Sequence, residues 1–85
     1  MLNLKFTPES WESYTYWQTR DKKTLKRIND LIKDAQRSPF AGIGKPEALK
    51  HSLSGCWSRR IDETNRLVYM ATSYELIIIS CRYHY

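Results

Sequence analysis

The longest strictly apolar run in the chain is only four residues, Leu76-Ile77-Ile78-Ile79, and it constrains the fold more than any other segment. It is far too short to cross a membrane. Consecutive apolar side chains in an extended segment point to both faces. The run is therefore expected to be the most buried strand of a sheet, and the rest of an 85-residue chain must supply the layers that cover it. A chain of that length is expected to form one domain over residues 1–85, with a modest core. Aromatic residues, 13% of the chain with three Trp and six Tyr, provide area for such a core.

The covering elements follow from hydrophobic period. Leu2, Leu4 and Phe6 alternate with Asn3 and Lys5, the pattern of a half-buried strand. Thr7 is placed to cap a helix, Pro8 suits its first position, and Glu9 and Glu12 favour its N-terminal turn. Trp11, Tyr14 and Trp17 follow at helical spacing, so this helix is expected to run to about Thr19. The same stripe serves as core or as an interface more readily than as a base-stacking platform. Asp21 can cap a second helix, with Leu25, Ile28, Leu31, Ile32 and Ala35 as its apolar stripe and Ser38-Pro39 as its end. So short a joint implies a helical hairpin. Gly42, Gly44 and Pro46 mark a loop that carries Glu47. Residues 56–61, 66–70 and 76–82 then read as three strands joined by short turns, an antiparallel meander. The expected class is α+β, in the order β-α-α-β-β-β: an N-terminal strand and a two-helix hairpin packed on an antiparallel sheet.

Met1 leads directly into Leu2 without the charged and long apolar segments of a secretory leader, so a cytoplasmic location and no membrane partner are expected. Cys56 and Cys81 are too few for a disulfide framework or a tetrahedral zinc site. Buried free thiols are the expected state, with a bridge between them left open by the sequence. No dinucleotide fingerprint, phosphate-binding glycine loop or acidic cluster is present, so neither a metal nor an organic cofactor is expected.

Fourteen Lys and Arg against nine acids give a formal charge of +5, which suits a polyanionic partner and equally suits simple solubility. The bias is local. Lys45, Lys50, Arg59 and Arg60 face the single acid Glu47 between positions 45 and 60, Arg66 follows, and the sequence closes on Cys81-Arg82-Tyr83-His84-Tyr85. Metal-free RNA cleavage asks for a base at the ribose 2′-OH, cations for the phosphorane, and an acid for the leaving 5′ oxygen. Glu47, Arg60, Arg66 and His84 can fill those roles. Each also has a plainer reading: Glu47 as solvated surface, Arg59 and Arg60 as exposed strand positions, His84 as a frayed end, His51 as surface. If Arg60 and Arg66 work together they must share a sheet face. A three-residue Asp62-Glu63-Thr64 loop with a bulge gives that register, and a four-residue loop would separate them. Tyr83 is expected to anchor the tail in the sheet, with a turn beyond it.

These residues carry a resemblance. The segments 44–61, 65–69 and 81–85, containing Leu53-Ser-Gly-Cys-Trp-Ser-Arg-Arg-Ile61, Asn65-Arg-Leu-Val-Tyr69 and Cys81-Arg-Tyr-His-Tyr85, resemble the YoeB toxins of the RelE/ParE superfamily. Similarity extends to Glu9-Ser-Trp11, Tyr16-Trp-Gln18 and Ser38-Pro-Phe40 in the N-terminal half. The resemblance implies a RelE-like fold and a toxin that cuts messenger RNA in the ribosomal A site, leaving a 2′,3′-cyclic phosphate (or the 3′-phosphate from its opening) and a 5′-hydroxyl. It implies Glu47 as general base, Arg60 and Arg66 on the phosphate, His84 as general acid and Tyr85 orienting or stacking on the substrate. Lys50, Arg59 and Arg82 are expected to bind substrate. The implied partners are a cognate antitoxin, the ribosome with its message, operator DNA only through the antitoxin complex, and a second copy of the chain. The rivals are a gyrase poison and a non-catalytic RNA-binding module on the same superfold.

Overall fold

The computed structural model describes residues 1–83, so the expectations for His84 and Tyr85 lie outside the described residues. Strand β1 (Asn3–Phe6) leads into helices α1 (Pro8–Gln18) and α2 (Lys22–Arg37). Strands β2 (Glu47–Ala48), β3 (Trp57–Arg60), β4 (Arg66–Ala71) and β5 (Glu75–Ser80) follow, with a 3-10 turn at His51–Leu53. The fold is α+β, with two helices on a five-stranded mixed sheet of order β1-β5-β4-β3-β2. The meander β3-β4-β5 is antiparallel as the short turns require. Strand β1 adds beside β5 in parallel, from Asn3↔Glu75 to Phe6↔Ile78, and β2 adds antiparallel to β3. Glu47 therefore sits in a short edge strand, whereas its Gly- and Pro-rich flank had suggested a loop.

Both helices begin on side-chain caps. Thr7 Oγ1 accepts from the Ser10 N–H, and the Asp21 carboxylate accepts from Lys23 and Thr24. Helix α2 buries Ile28, Leu31, Ile32 and Ala35 against Leu67, Tyr69, Leu76 and Ile78 of the sheet. Leu25, at the edge of that stripe, is only half-buried. Strand β5 is interior to the sheet, but its two faces differ. Leu76 and Ile78 are fully buried under the helices, while Ile77 and Ile79 on the open face are half-buried. The helices cover only the other face, so only one side of the apolar run packs beneath them.

Candidate active site

The open face of the sheet carries the site because strand alternation sends every second side chain there. The register pairs Glu47 with Ser58 and Arg60 with Arg66, so all four occupy the face turned away from the helices. The turn between β3 and β4 closes with the N–H groups of both Ile61 and Asp62 donating to the Asn65 carbonyl, at 3.0 and 3.2 Å. This puts the two arginines directly opposite each other, the register that convergence requires. Like charges opposite each other are unfavourable. The nearby carboxylate offsets part of that repulsion: Arg66 Nη1 lies 3.3 Å from Glu47 Oε1. The carboxylate remains open to solvent, at 63% side-chain exposure, and Arg60 is exposed too. Both backbone groups of Arg60 are tied down. Its N–H donates to Gly44 O at 2.7 Å, and its carbonyl accepts from Arg27 Nη2 at 2.9 Å. Ser58, between Glu47 and Val68 in the register, has a buried hydroxyl with no hydrogen-bond partner among the described residues.

Arg59 points the other way, and its expected substrate role is corrected. It is fully buried. Nε donates to Tyr69 Oη at 3.0 Å, Nη1 to Asp34 Oδ2 at 2.5 Å and Ile43 O at 3.1 Å, and Nη2 to Ser38 O at 2.6 Å and Ala41 O at 2.9 Å. All five guanidinium N–H donors are thus spent inside the protein. Arg59 is the hub that folds residues 38–44 onto α2 and delivers the chain to Glu47. Tyr69 completes it by donating from its hydroxyl to Pro39 O at 2.7 Å. The loop closes tightly at Gly44, φ +81, where a Cβ would stand 2.6 Å from Leu31 Cδ2.

Arg82 is also placed differently from its expected role. Its guanidinium lies 3.6 Å from the ring centroid of Tyr16 on α1 and 4.6 Å from that of Tyr83. Lys50 is exposed just before the 3-10 turn, two residues beyond β2. Tyr83 is held by its backbone outside the sheet ladder, at φ 65, with its ring 60% exposed, and the turn expected beyond it lies outside the described residues. Sequence reading passed over Asn65, only 8% exposed, although an Asp62-x-x-Asn65 turn is a visible signal. It passed over Asp34 as the partner of Arg59, and no sequence signal pairs positions 25 apart. Both cysteines are free and buried, and burial pushes the Cys81 thiol up to about 12. Among the described residues no group of His, Cys, Asp and Glu could hold a metal ion, and no helix is long and apolar enough to cross a membrane.

Comparisons with known proteins bear on the family and the fold. Residues 6–85 match the model of the YoeB-like toxin of bacterial type II toxin-antitoxin system. The chain is 58% identical to Toxin YoeB of Escherichia coli (strain K12) over 84 residues, covering 99% of this chain and all of that one. Among solved structures, the YoeB dimer from Staphylococcus aureus superimposes with a TM-score of 0.92 at 48% identity, over 99% of this chain and 98% of that one. The YoeB-YefM complex from the same organism gives 0.90 at 46%, over 100% and 99%. With its full length matched in sequence and in fold, the chain belongs to the YoeB-like toxins of bacterial type II toxin-antitoxin systems.

Proposed function

We propose that this toxin is a ribosome-dependent endoribonuclease that cuts messenger RNA in the decoding A site and so stops translation. The observation that carries the reading is the contact of Glu47 with Arg66, beside Arg60, on the open face of the sheet. A message phosphate bound at the two guanidinium groups competes with Glu47 for Arg66. That exchange frees the carboxylate to take the 2′-OH proton. The 2′ oxygen then attacks phosphorus, Arg60 and Arg66 offset the charge on the phosphorane, and His84 protonates the departing 5′ oxygen. The products are a 2′,3′-cyclic phosphate and a 5′-hydroxyl, and no metal or organic cofactor takes part. Tyr85 orients the substrate by stacking, and Lys50 adds positive charge near the scissile phosphate. The +5 charge favours approach to ribosomal RNA. The partners are the ribosome with its message, a second copy of the chain, and an antitoxin of the kind named in the YoeB-YefM complex. Operator DNA is reached only through the antitoxin complex.

Purified ribosome–message complexes test the reading. Wild-type protein cuts the message and leaves gyrase supercoiling unaffected. His84→Ala loses on the order of 10²-fold in single-turnover cleavage, as expected for removal of a general acid. Its ribosome binding changes little, because that is spread over many basic contacts. A wild-type cleavage rate from His84→Ala sinks the mechanism, and binding without any turnover by the wild type favours the RNA-binding module.

A further inference from the structure

The chain beyond β5 has left the sheet ladder and is held by side-chain and backbone contacts instead. Cys81 is fully buried, and its carbonyl accepts from the Trp17 indole N–H at 2.9 Å. Ser80 Oγ donates to the Arg82 carbonyl at 3.1 Å, and the Arg82 guanidinium rests on Tyr16. Tyr83 then enters the left-handed region, which is unfavourable for a residue with a large side chain. Two backbone bonds hold it there. Its N–H donates to Asn65 Oδ1 at 2.6 Å, and its carbonyl accepts from the Arg66 N–H at 2.7 Å.

Asn65 is the junction of this arrangement. Its Nδ2 donates to both carboxylate oxygens of Asp62, at 3.2 Å each. Asp62 Oδ1 also accepts the backbone N–H groups of Thr64 and Asn65, at 2.8 and 2.6 Å. The amide has only one consistent orientation, since a carboxylate at pH 7 accepts and a backbone N–H donates. A relay therefore runs from Asp62 through Asn65 to Tyr83. It ties the turn that sets Arg60 opposite Arg66 to the residue that bears His84. The backbone N–H of Arg66 holds Tyr83 as well, so the strand position that brings Arg66 to Glu47 also fixes the tail.

We infer that Asn65, seconded by Trp17, is a positioning residue for cleavage: it locks the 81–83 turn and so sets the pose from which His84 gives its proton. This rests on the reading of His84 as general acid. A purely structural Asn65 would support the fold and affect every step alike. A positioning Asn65 acts only where the acid is needed.

The test is single-turnover cleavage of programmed ribosomes with toxin in excess, on two messages. One keeps the scissile 5′ oxygen and the other replaces it with bridging sulfur. A thiolate departs without protonation, so loss of a general acid slows the oxygen message and largely spares the sulfur one. Asn65→Ala is expected to slow oxygen cleavage about 10- to 100-fold, the scale of a misplaced reacting group. Sulfur cleavage and the half-saturating toxin concentration stay near wild type. The exchange of Asp62→Asn with Asn65→Asp reverses the donor and acceptor of the relay, keeps an acceptor for the Tyr83 N–H, and restores oxygen cleavage. Trp17→Phe keeps one aromatic ring, loses the pyrrole ring with its N–H, and shows the same oxygen-selective loss at smaller size. If Asn65→Ala does not fold, the exchange and Trp17→Phe carry the test. Wild-type rates on the oxygen message, or equal slowing on both messages, overturn the inference while His84→Ala keeps its oxygen-selective loss. A His84→Ala protein that cuts both messages at wild-type rates overturns the underlying reading and this inference with it.

Discussion

Arg59 and Arg60 are neighbours in sequence with opposite fates, and strand alternation is the reason. Arg60 stands exposed beside Arg66, while Arg59 spends its whole donor fork on Asp34, Tyr69 and three loop carbonyls. Removing one partner of a buried pair leaves the other uncompensated, at a cost of about 3–5 kcal/mol. Asp34 keeps 25% side-chain exposure, which places Arg59→Met near the lower end, about 3 kcal/mol. Arg59→Lys recovers little, because an ammonium cannot span acceptors arranged for a planar fork. Arg60→Ala shifts stability by no more than about 0.5 kcal/mol, as surface changes generally do, yet depresses message cleavage. Urea midpoints set beside cleavage rates separate the two arginines. A large cleavage defect in a fully stable Arg59→Met protein would contradict this division of labour. The double arginine was legible as a basic feature. Which of the pair faces outward was not, because that depends on strand register.

At the scale of elements, the helices were legible because Thr7, Pro8, Asp21 and Ser38-Pro39 punctuate them and α2 has an unbroken apolar stripe. Strand β2 was not, since two residues give no period to read. The parallel seat of β1 was hidden for another reason: alternation announces a strand without naming its neighbour. Nor does sequence show how the loop over residues 38–44 is pinned to α2 by Asp34. A hydrogen bond from Arg59 holds the Asp34 carboxyl below the ordinary aspartate range, helped by the Ile43 N–H, while burial works weakly the other way. A carboxyl lowered by folding stabilises the native state fully above its unfolded value, about 3.9. That contribution is lost as pH falls through the lower folded value. Asp21, Asp30 and Asp62 are lowered as well and add to the same acid-side loss. The urea midpoint is therefore expected to fall as pH drops below about 4, and Asp34→Asn to start lower and fall less. An Asp34→Asn protein with the wild-type pH profile would remove this clamp from the account.

At the scale of the molecule, β1, α1 and α2 leave an aromatic concavity of about 510 Å³ lined by Leu4, Phe6, Trp11 and Tyr14. Trp11 is 50% exposed and Leu4 is 42% exposed. The exposed aromatic of the α1 stripe is thus Trp11. Tyr14, Tyr16 and Trp17 are half-buried, with Tyr14 donating to Asn29 and Trp17 to Cys81. An apolar patch of this kind suits a second copy of the chain. Wild-type protein is expected to sediment as a dimer at micromolar concentration, and Trp11→Asp as a folded monomer. A monomeric wild type, or an unshifted Trp11→Asp dimer, would argue against that surface. The pairing of β1 with β5 has a separate, temporal consequence. Residues 3–6 are synthesised well before their sheet neighbour, residues 75–78. Closing so long a loop is slow, and no shorter nascent chain can complete the core. Synthesis thus imposes an order on folding. A growing chain already carries Glu47, Arg60 and Arg66 while its first strand waits, unpaired, for the fifth.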